Sequence, residues 1–567
     1  MSVEWQEKAF DEVEVSRLEA AGYPRLLARL LAVRGVSAAE LDEYFHPSLS
    51  RLSSPDSLPG IAAATEEILS FVSAHRPIVI FGDYDCDGVC ATAILVKALT
   101  ALGAEVSPFV PERLTEGYGM GEKSIERMLK ENPSVALVVT VDNGINSVRE
   151  VADLKARGIS VVVSDHHLPG AELPDCTIVN PKVASPEMLN GLCGAGVAFF
   201  LANSLITEAT KRGMYDGHRI GGELLILAGL ATVTDIMPLR GDNRILVANA
   251  LACFRKYAPI GLTELYDRAS RTAANRLTSK DFGFLLGPRI NAAGRLASGM
   301  EALELLLVED REIARECARI VDTRNVQRKS IESKMTDEAM SKVVPGASAQ
   351  VIDLPNGHQG VAGIVAARVL ERLEPSVPVC VVAGGHGSAR SPEGINIRDA
   401  MEACKEVLER FGGHAAAGGF SVKDGRIDDF RRLLCEYCDR LAGDVDSAES
   451  SRKQVDACVD IRDLDLETVE KMSGMEPFGE GNPEPLFALR GVFLKDVRPL
   501  GQDGRHLAFS VDGMKGVYWN HGDLVEELRS NSSVPRDLLF TVEISDFGGR
   551  HVEIRLQDII RSNEPEI

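Results

Sequence analysis

The sequence predicts an α/β protein: a parallel-sheet domain, a long connecting helix, a second α/β domain and a C-terminal OB-like β-barrel. Three observations predict it. Short apolar runs alternate with helical patterns over residues 61–250 and again over 346–441, the mark of βαβ units. Between them, from about 301 to 345, EALELLLVEDREIARECARIVDTRNVQRKSIESKM reads as one long amphipathic helical stretch. Over 456–562 the pattern becomes alternating strands with glycine turns.

The elements follow in order. Residues 1–60 read as small helices, YPRLLARLLAVRGV then SAAELDEYF, and HPSLSRLSSPDSLPG as a wrapped linker. ATEEILSFVSA is helical, and PIVIFGDYD is an apolar strand ending in acid. VCATAILVKALTALG is helical, AEVSPFVPER a strand, KSIERMLKEN a helix and ALVVTVDNG a second strand ending in acid. NSVREVADLKARG is helical, and SVVVSDHH is a strand with a charged end. GELLILAGLATVTD is a nearly all-apolar helix that stops at Asp235. Residues 251–345 form a helical connector, and 442–455 a polar linker.

Bulk properties narrow the function classes. A chain of 567 residues needs several domains. No run of 18 apolar residues occurs, so no membrane span is expected, and the acidic start lacks a signal peptide's pattern, so the cytoplasm is expected. Of 11 cysteines only Cys435 and Cys438 form a CxxC pair, inside a helical run; reduced thiols are expected rather than zinc. A net charge of −22 argues against a basic coat for duplex DNA but leaves room for a locally basic groove.

The chemistry lies at strand ends. In open parallel sheets ligands bind at the carboxyl ends of the strands. Here those ends carry Asp83, Asp85 and Asp87, then Asp142, then Asp165-His166-His167, while the apolar helix delivers Asp235. A single such Asp is ordinarily a cap or a turn residue. Together they would leave about five carboxylates repelling one another, which demands cations. Mostly oxygen donors with one or two imidazoles suit Mn²⁺ or Mg²⁺, and the number of carboxylates suits two ions about 4 Å apart.

This set resembles the DHH phosphoesterase superfamily, named for an Asp-His-His such as that at 165–167. The resemblance makes Asp83, Asp85, Asp142, His166 and Asp235 metal ligands. It sets His167 toward the scissile phosphate, with Asp165 and Asp87 in support. It extends through FGDYDCDGV, PERLTEGYG, TVDNGI, SDHH, ATVTDIMPL, LGPRINAAGRL, HQGVAGIVAARV, GSARS, RFGGHAAAGG and EPFGEGNPEPLF, in that order. Together these look like the superfamily's single-stranded-DNA-specific exonucleases. The second α/β domain is thereby DHHA1-like and holds substrate phosphates with Ser388, Arg390, Gly412, Gly413 and His414. Glycine-rich backbone, Ser and Arg suit that task.

Arg113 and Arg289 match positions that contact the nucleic-acid backbone, and Tyr118 is placed to stack on a base. Gln359 touches substrate or, like His358, caps the helix that follows. Arg295 is open between a contact and a structural ion pair. In the tail, Phe509, Tyr518 and Trp519 among Arg498, Arg505, Arg550 and Arg555 read either as a stacking surface for a single strand or as a barrel core.

The resemblance implies 5′-3′ hydrolysis of single-stranded DNA to 5′-mononucleotides in recombination and repair. A helicase and a single-strand-binding protein are the implied partners, and a cleft between the α/β domains would exclude duplex. The alternatives are a phosphodiesterase of short oligonucleotides or cyclic dinucleotides, and a non-catalytic replication or repair scaffold. One departure stands out: Ala297-Ser298-Gly299 follows GRL where the family commonly has an acidic residue.

Overall fold

The computed structural model describes residues 5–184, 191–215, 217, 220–270, 277–442, 453–501, 503–546 and 549–562. They form two compact units, one of residues 53–237 and 249–446, the other of 1–52, 238–248 and 447–567. Most of the expected linker at 442–455 lies outside the described residues.

The larger unit holds the first parallel sheet. Its elements run β1 (Ile78–Phe81), α1 (Cys86–Ala101), β2 (Val106–Phe109), β3 (Leu137–Val141), β4 (Ser160–Ser164) and β5 (Thr177–Val179). The strand order is β2-β1-β3-β4-β5, parallel throughout. Every residue of β1 and β3 is buried, which is why IVIF and LVVTV are continuous rather than alternating. Two apolar helices, α2 (Gly194–Lys211) and α3 (Gly221–Thr234), pack on α1. The chain winds outward in both directions from β1. The gap between β1 and β3 is therefore the topological switch point, where such sheets bind ligands.

The connector is a series of helices that includes α4 (Gly287–Leu296) and α5 (Arg311–Ser341). The single stretch expected from 301 to 345 is in fact two helices, Gly299–Leu307 and α5. Val308 is extended, and the Asp310 side chain accepts hydrogen bonds from the backbone N–H groups of Glu312 and Ile313. That aspartate starts a new helix, which side-chain periodicity alone does not reveal.

The second sheet contains β6 (Gln350–Leu354), β7 (Val379–Ala383), β8 (His386–Arg390), β9 (Leu408–Gly413) and β10 (Ala417–Val422), in the order β9-β10-β8-β7-β6. Only β6 and β7 pair in parallel. Val365 and Val369 of helix Ala362–Leu370 pack on one face of it, and Phe430 and Leu434 of helix Ile427–Ala442 on the other. Cys435 and Cys438 sit in the latter helix and form no disulfide.

In the smaller unit seven strands form one sheet, from Ala457–Cys458 at one end to Lys495–Leu500 at the other. The N-terminal helices are part of this unit: Leu18, Leu27 and Leu31 share a core with Phe487 and Phe540, and Gln6–Glu7 pairs with Gln454–Val455. The tail aromatics divide. Phe509 and Tyr518 are buried, whereas Trp519 is exposed, with Arg555 over its ring at 5.4 Å. Arg505, Arg550 and Arg555 each have a carboxylate partner.

Candidate metal centre

The acidic strand ends converge. Asp83 lies two residues beyond β1, and Asp142 and Asp165 directly follow β3 and β4. Asp235 is the C-cap of α3. Asp142 adopts a left-handed backbone, φ 61°, in a turn held by hydrogen bonds from Asn143 Nδ2 to Val141 O and from Thr140 Oγ1 to Asn143 O. Aspartate tolerates that region better than most residues. Helix α4 closes the site from behind. Asn291 Oδ1 accepts from Cys86 N at 2.8 Å, and a Cβ on Gly294 would lie 2.1 Å from Tyr84 O. That approach is why LGPRINAAGRL needs both residues.

Three groups of donor atoms come within 4.8 Å of one another: Asp83, Asp85 and Asp142; Asp87, His166 and Asp235; and Asp142, His166 and His167. His166 Nε2 lies 3.1 Å from Asp142 Oδ1 and 3.8 Å from Asp235 Oδ2. Asp83 Oδ1, Asp142 Oδ1, Asp235 Oδ2 and His166 Nδ1 are buried without a hydrogen-bond partner. Orphaned acceptors of this kind are costly unless a ligand satisfies them. The donor set, carboxylate oxygens with one neutral imidazole, fits Mn²⁺ or Mg²⁺.

The other acidic residues are already engaged. Asp165 accepts from the backbone N–H groups of Ile145, His166 and His167 and from His167 Nδ1 at 2.8 Å. Although buried, it is held below the usual carboxylate range by those donors and the His167 charge. Asp87 accepts from Gly194 N and Ala195 N, both at 2.7 Å, and so ties α1 to the N-terminus of α2. Asp85 is also the N-cap of α1, accepting from Gly88 N, so capping and site membership coexist in one residue.

Electrostatics separates the two histidines. Burial lowers the pKa of His166 and keeps it neutral. Burial also opposes charge on His167, but its hydrogen bond to Asp165 and the charges of Asp165 and Asp87 together outweigh this and raise it. Asp83, Asp85 and Asp142 are all pushed up, first by burial and then by a neighbouring carboxylate, Asp85 for Asp83 and Asp87 for Asp85 and Asp142, and burial takes Asp235 to about 9. With cations removed, a carboxyl whose folded pKa exceeds its unfolded value of about 3.9 destabilises the fold increasingly as pH rises between those two values. The chelated protein is therefore expected to melt at progressively lower temperature from about pH 6 to about pH 9, and saturating Mn²⁺ to flatten that slope. Scanning calorimetry with EDTA and with Mn²⁺ checks this, and equal slopes would count against bound cations.

Beside these groups lies a cleft of ≈ 700 Å³, lined by Tyr84, Arg113, Tyr118, Gln359, Ser388 and Gly412 among others. Tyr118 is exposed, and its hydroxyl donates to Asp142 O at 2.9 Å beside the His167 ring. Arg113 lies over the Tyr84 ring at 5.1 Å. His358 caps the turn at Gln359–Val361, while Gln359 faces the cleft, so the two residues divide the roles expected of either. Arg390 is largely buried; burial and then the nearby Arg113 charge lower its pKa.

Other residues singled out from the sequence are engaged with protein partners or lie outside this cleft. Arg289 is bound to Asp322 Oδ1 at 3.0 Å and to Leu285 O, and its side chain is only 12% exposed. Gly413, φ 138°, and His414 form the β9–β10 turn and do not line the cleft. Arg295 has no carboxylate within ion-pair distance among the described residues. It donates to Gly360 O, and burial and Arg113 lower its pKa to about 10. Sequence reasoning missed Lys182, whose charge acts on both histidines and Asp235, and the Gly194–Ala195 helix start. The run CGAGVAFF, small residues opening an apolar helix, was the available signal for the latter.

The chain matches the family model of the DHH family, N-terminal domain, over residues 77–228, the DHHA1 domain over 346–440 and the RecJ OB domain over 455–558. The single-stranded-DNA-specific exonuclease RecJ of Bacillus subtilis is 33% identical over 545 residues, covering 94% of this chain and 67% of that protein. Its Escherichia coli counterpart is 34% identical over 591 residues, covering 97% and 98%. The crystal structure of RecJ in complex with Mn²⁺ from Thermus thermophilus superposes with a TM-score of 0.84 at 31% identity, covering 100% of this chain and 80% of that one. The Mg²⁺ complex of the same protein gives 0.79 at 30%, covering 99% and 79%.

Proposed function

Because this chain belongs to the RecJ family of single-stranded-DNA-specific exonucleases, we propose that it degrades single-stranded DNA from the 5′ end, releasing 5′-mononucleotides. It is a metal-dependent exonuclease with a role in DNA repair, and single-stranded DNA is its substrate. A helicase that supplies single strands, a single-strand-binding protein and a cytoplasmic setting complete the proposal. Among the described residues no single helix is long and apolar enough to cross a membrane.

The observation that carries the reading is the set of orphaned acceptors on Asp83, Asp142 and Asp235 beside a cleft whose far wall is the GSARS strand. In the proposal Asp83, Asp85, Asp142, His166 and Asp235 hold two Mn²⁺ or Mg²⁺ ions. Such ions, when bound, neutralise phosphate charge and lower the pKa of an attacking water. Asp165 fixes the His167 ring through Nδ1, so Nε2 is presented to the scissile phosphate. Asp87 holds the α2 N-terminus beside Asp142. Arg113, Ser388 and Arg390 bind the terminal phosphate, Gln359 and Gly412 line its approach, and Tyr118 stacks on the first base. Hydrolysis breaks the bond between phosphorus and the 3′ oxygen, so the departing nucleotide keeps its 5′ phosphate and the strand gains a new one. The cleft has the volume of a nucleotide-sized site.

Degradation of long single strands labelled at either end, with Mn²⁺ and with Mg²⁺, tests this. The 5′ label is expected to leave at once as a mononucleotide while the 3′ label stays on a shortening strand. Early release of the 3′ label would overturn the polarity.

A further inference from the structure

The cleft extends past the groups used so far. On β8 the side chains of His386, Ser388 and Arg390 share one face, while Gly387 and Ala389 are buried. In the sheet Ser388 stands opposite Gly419, which stands opposite Gly412. The next row is His386, Ser421 and Arg410. The glycine row leaves an open floor, and the His386 row beside it is dense in donors. Arg410 Nε donates to Ser421 Oγ at 3.3 Å, and Arg410 Nη2 lies 3.5 Å from His386 Nδ1. A guanidinium can only donate, so Nδ1 accepts, and the proton on Nε2 remains available as a donor. Lys123 lines the same cleft.

These cations lack acidic partners. Most arginines on the exposed surface of this chain, such as Arg212, Arg315 and Arg432, are in ion pairs. Among the described residues Arg113, Lys123 and Arg410 have no carboxylate within 4.0 Å. The one acid of the cleft wall, Glu116, is held by Arg127 at 2.7 Å. In a chain of net charge −22, unpaired cations around a cavity point to an anionic occupant. Arg113 lies 5.1 Å over the ring of Tyr84, the residue between Asp83 and Asp85. The first phosphate position, at Arg113, Ser388 and Arg390, therefore lies on the metal side. The His386 row is two strand residues past Ser388, about 6.8 Å further out.

We propose that Lys123, His386 and Arg410, ordered by Ser421, form a second phosphate subsite one phosphate beyond that position. The assignment rests on the exonuclease reading above. The subsite takes a phosphate group from either of two sources. It can be the 5′ phosphate of a strand inserted one nucleotide deeper, in which case the same hydrolysis cuts one bond later and frees a dinucleotide. It can also be the outer phosphates of a 5′-triphosphate end.

The test uses the full chain with Mn²⁺ on two single strands of one sequence, one with a 5′-monophosphate and one with a 5′-triphosphate. Two ratios are read: dinucleotide to mononucleotide among the first products, and initial rate on triphosphate to that on monophosphate ends. Arg410→Glu is expected to lower at least one ratio about tenfold, and Arg410→Lys to keep both within about threefold of the parent. The affected ratio identifies the source. Unchanged ratios in Arg410→Glu, or a parent enzyme that yields only mononucleotides and spares triphosphate ends, would overturn the second subsite alone. A parent that degrades neither strand would instead overturn the exonuclease reading.

Discussion

Asp142→Asn is expected to lower nuclease activity by at least about 10³-fold, equivalent to roughly 4 kcal/mol of transition-state stabilisation. The residue is central: its Oδ1 faces His166 at 3.1 Å and His167 at 4.0 Å, and it shares a donor group with Asp83 and Asp85. Asparagine keeps the shape and tolerates the left-handed backbone at φ 61°, so the turn survives. Alanine would lose the same ligand but add about 1 kcal/mol of backbone strain, which makes its result harder to read. The substitution also removes one charge from a buried cluster of like charges. The chelated variant is therefore expected to melt no lower than the chelated parent. Steady-state nuclease assays and calorimetry on the same preparation decide the matter. Activity within tenfold of the parent would remove Asp142 from the centre, and a large drop in the melting temperature would make its role structural.

Gly194→Ala is expected to reduce activity about 100-fold without touching a ligand, through misplacement of about 1 Å. A Cβ at that position would lie 2.6 Å from Asp142 Cβ and 2.7 Å from its Oδ1. The helix cannot simply retreat, because Gly194 N and Ala195 N are both bound to Asp87 at 2.7 Å. Either Asp142 turns away or the Asp87 bonds lengthen, and overpacking of this kind costs about 1–3 kcal/mol. Gly196→Ala is the matched control on the same helix. Its added Cβ comes closest to the flexible end of Leu192, at 3.3 Å, with Leu192 Cβ at 3.5 Å and Cys193 Sγ at 3.7 Å, and activity within about twofold of the parent is expected. Equal activity in both variants would mean that the α2 N-terminus does not position the centre.

Much of the site was legible in the sequence because it is made by local rules. An apolar run followed by an acid, with glycine nearby, dictates a buried strand whose end carries a carboxylate, and parallel order brings such ends to one edge. Asp83, Asp142 and Asp165 were therefore placed by pattern alone, Asp235 by the end of an apolar helix, and repulsion among them implied cations. The second domain was legible in the same way, since GSARS and FGG fall on the two strands, β8 and β9, that flank β10. The expected single helix from 301 to 345 failed because a cap, Asp310, looks like any other acidic residue of an amphipathic helix.

The sequence by itself determined which chemical groups this protein brings to phosphate and to metal, because strand, turn and helix-start signals act over a few residues. Tertiary structure alone decided which of those groups remain free. Asp165 is saturated by donors from Ile145, 20 residues away, and from His167, and Asp87 by a helix 107 residues on. Arg289, expected at the substrate, is spent on Asp322, while Arg113 and Arg410 are left without acids. The N-terminal helices find their core with residues beyond 447, across more than 400 positions. The physical reason is the same in each case. A carboxylate's or a guanidinium's role depends on the partner that satisfies it, and that partner is chosen by packing between segments far apart in the chain.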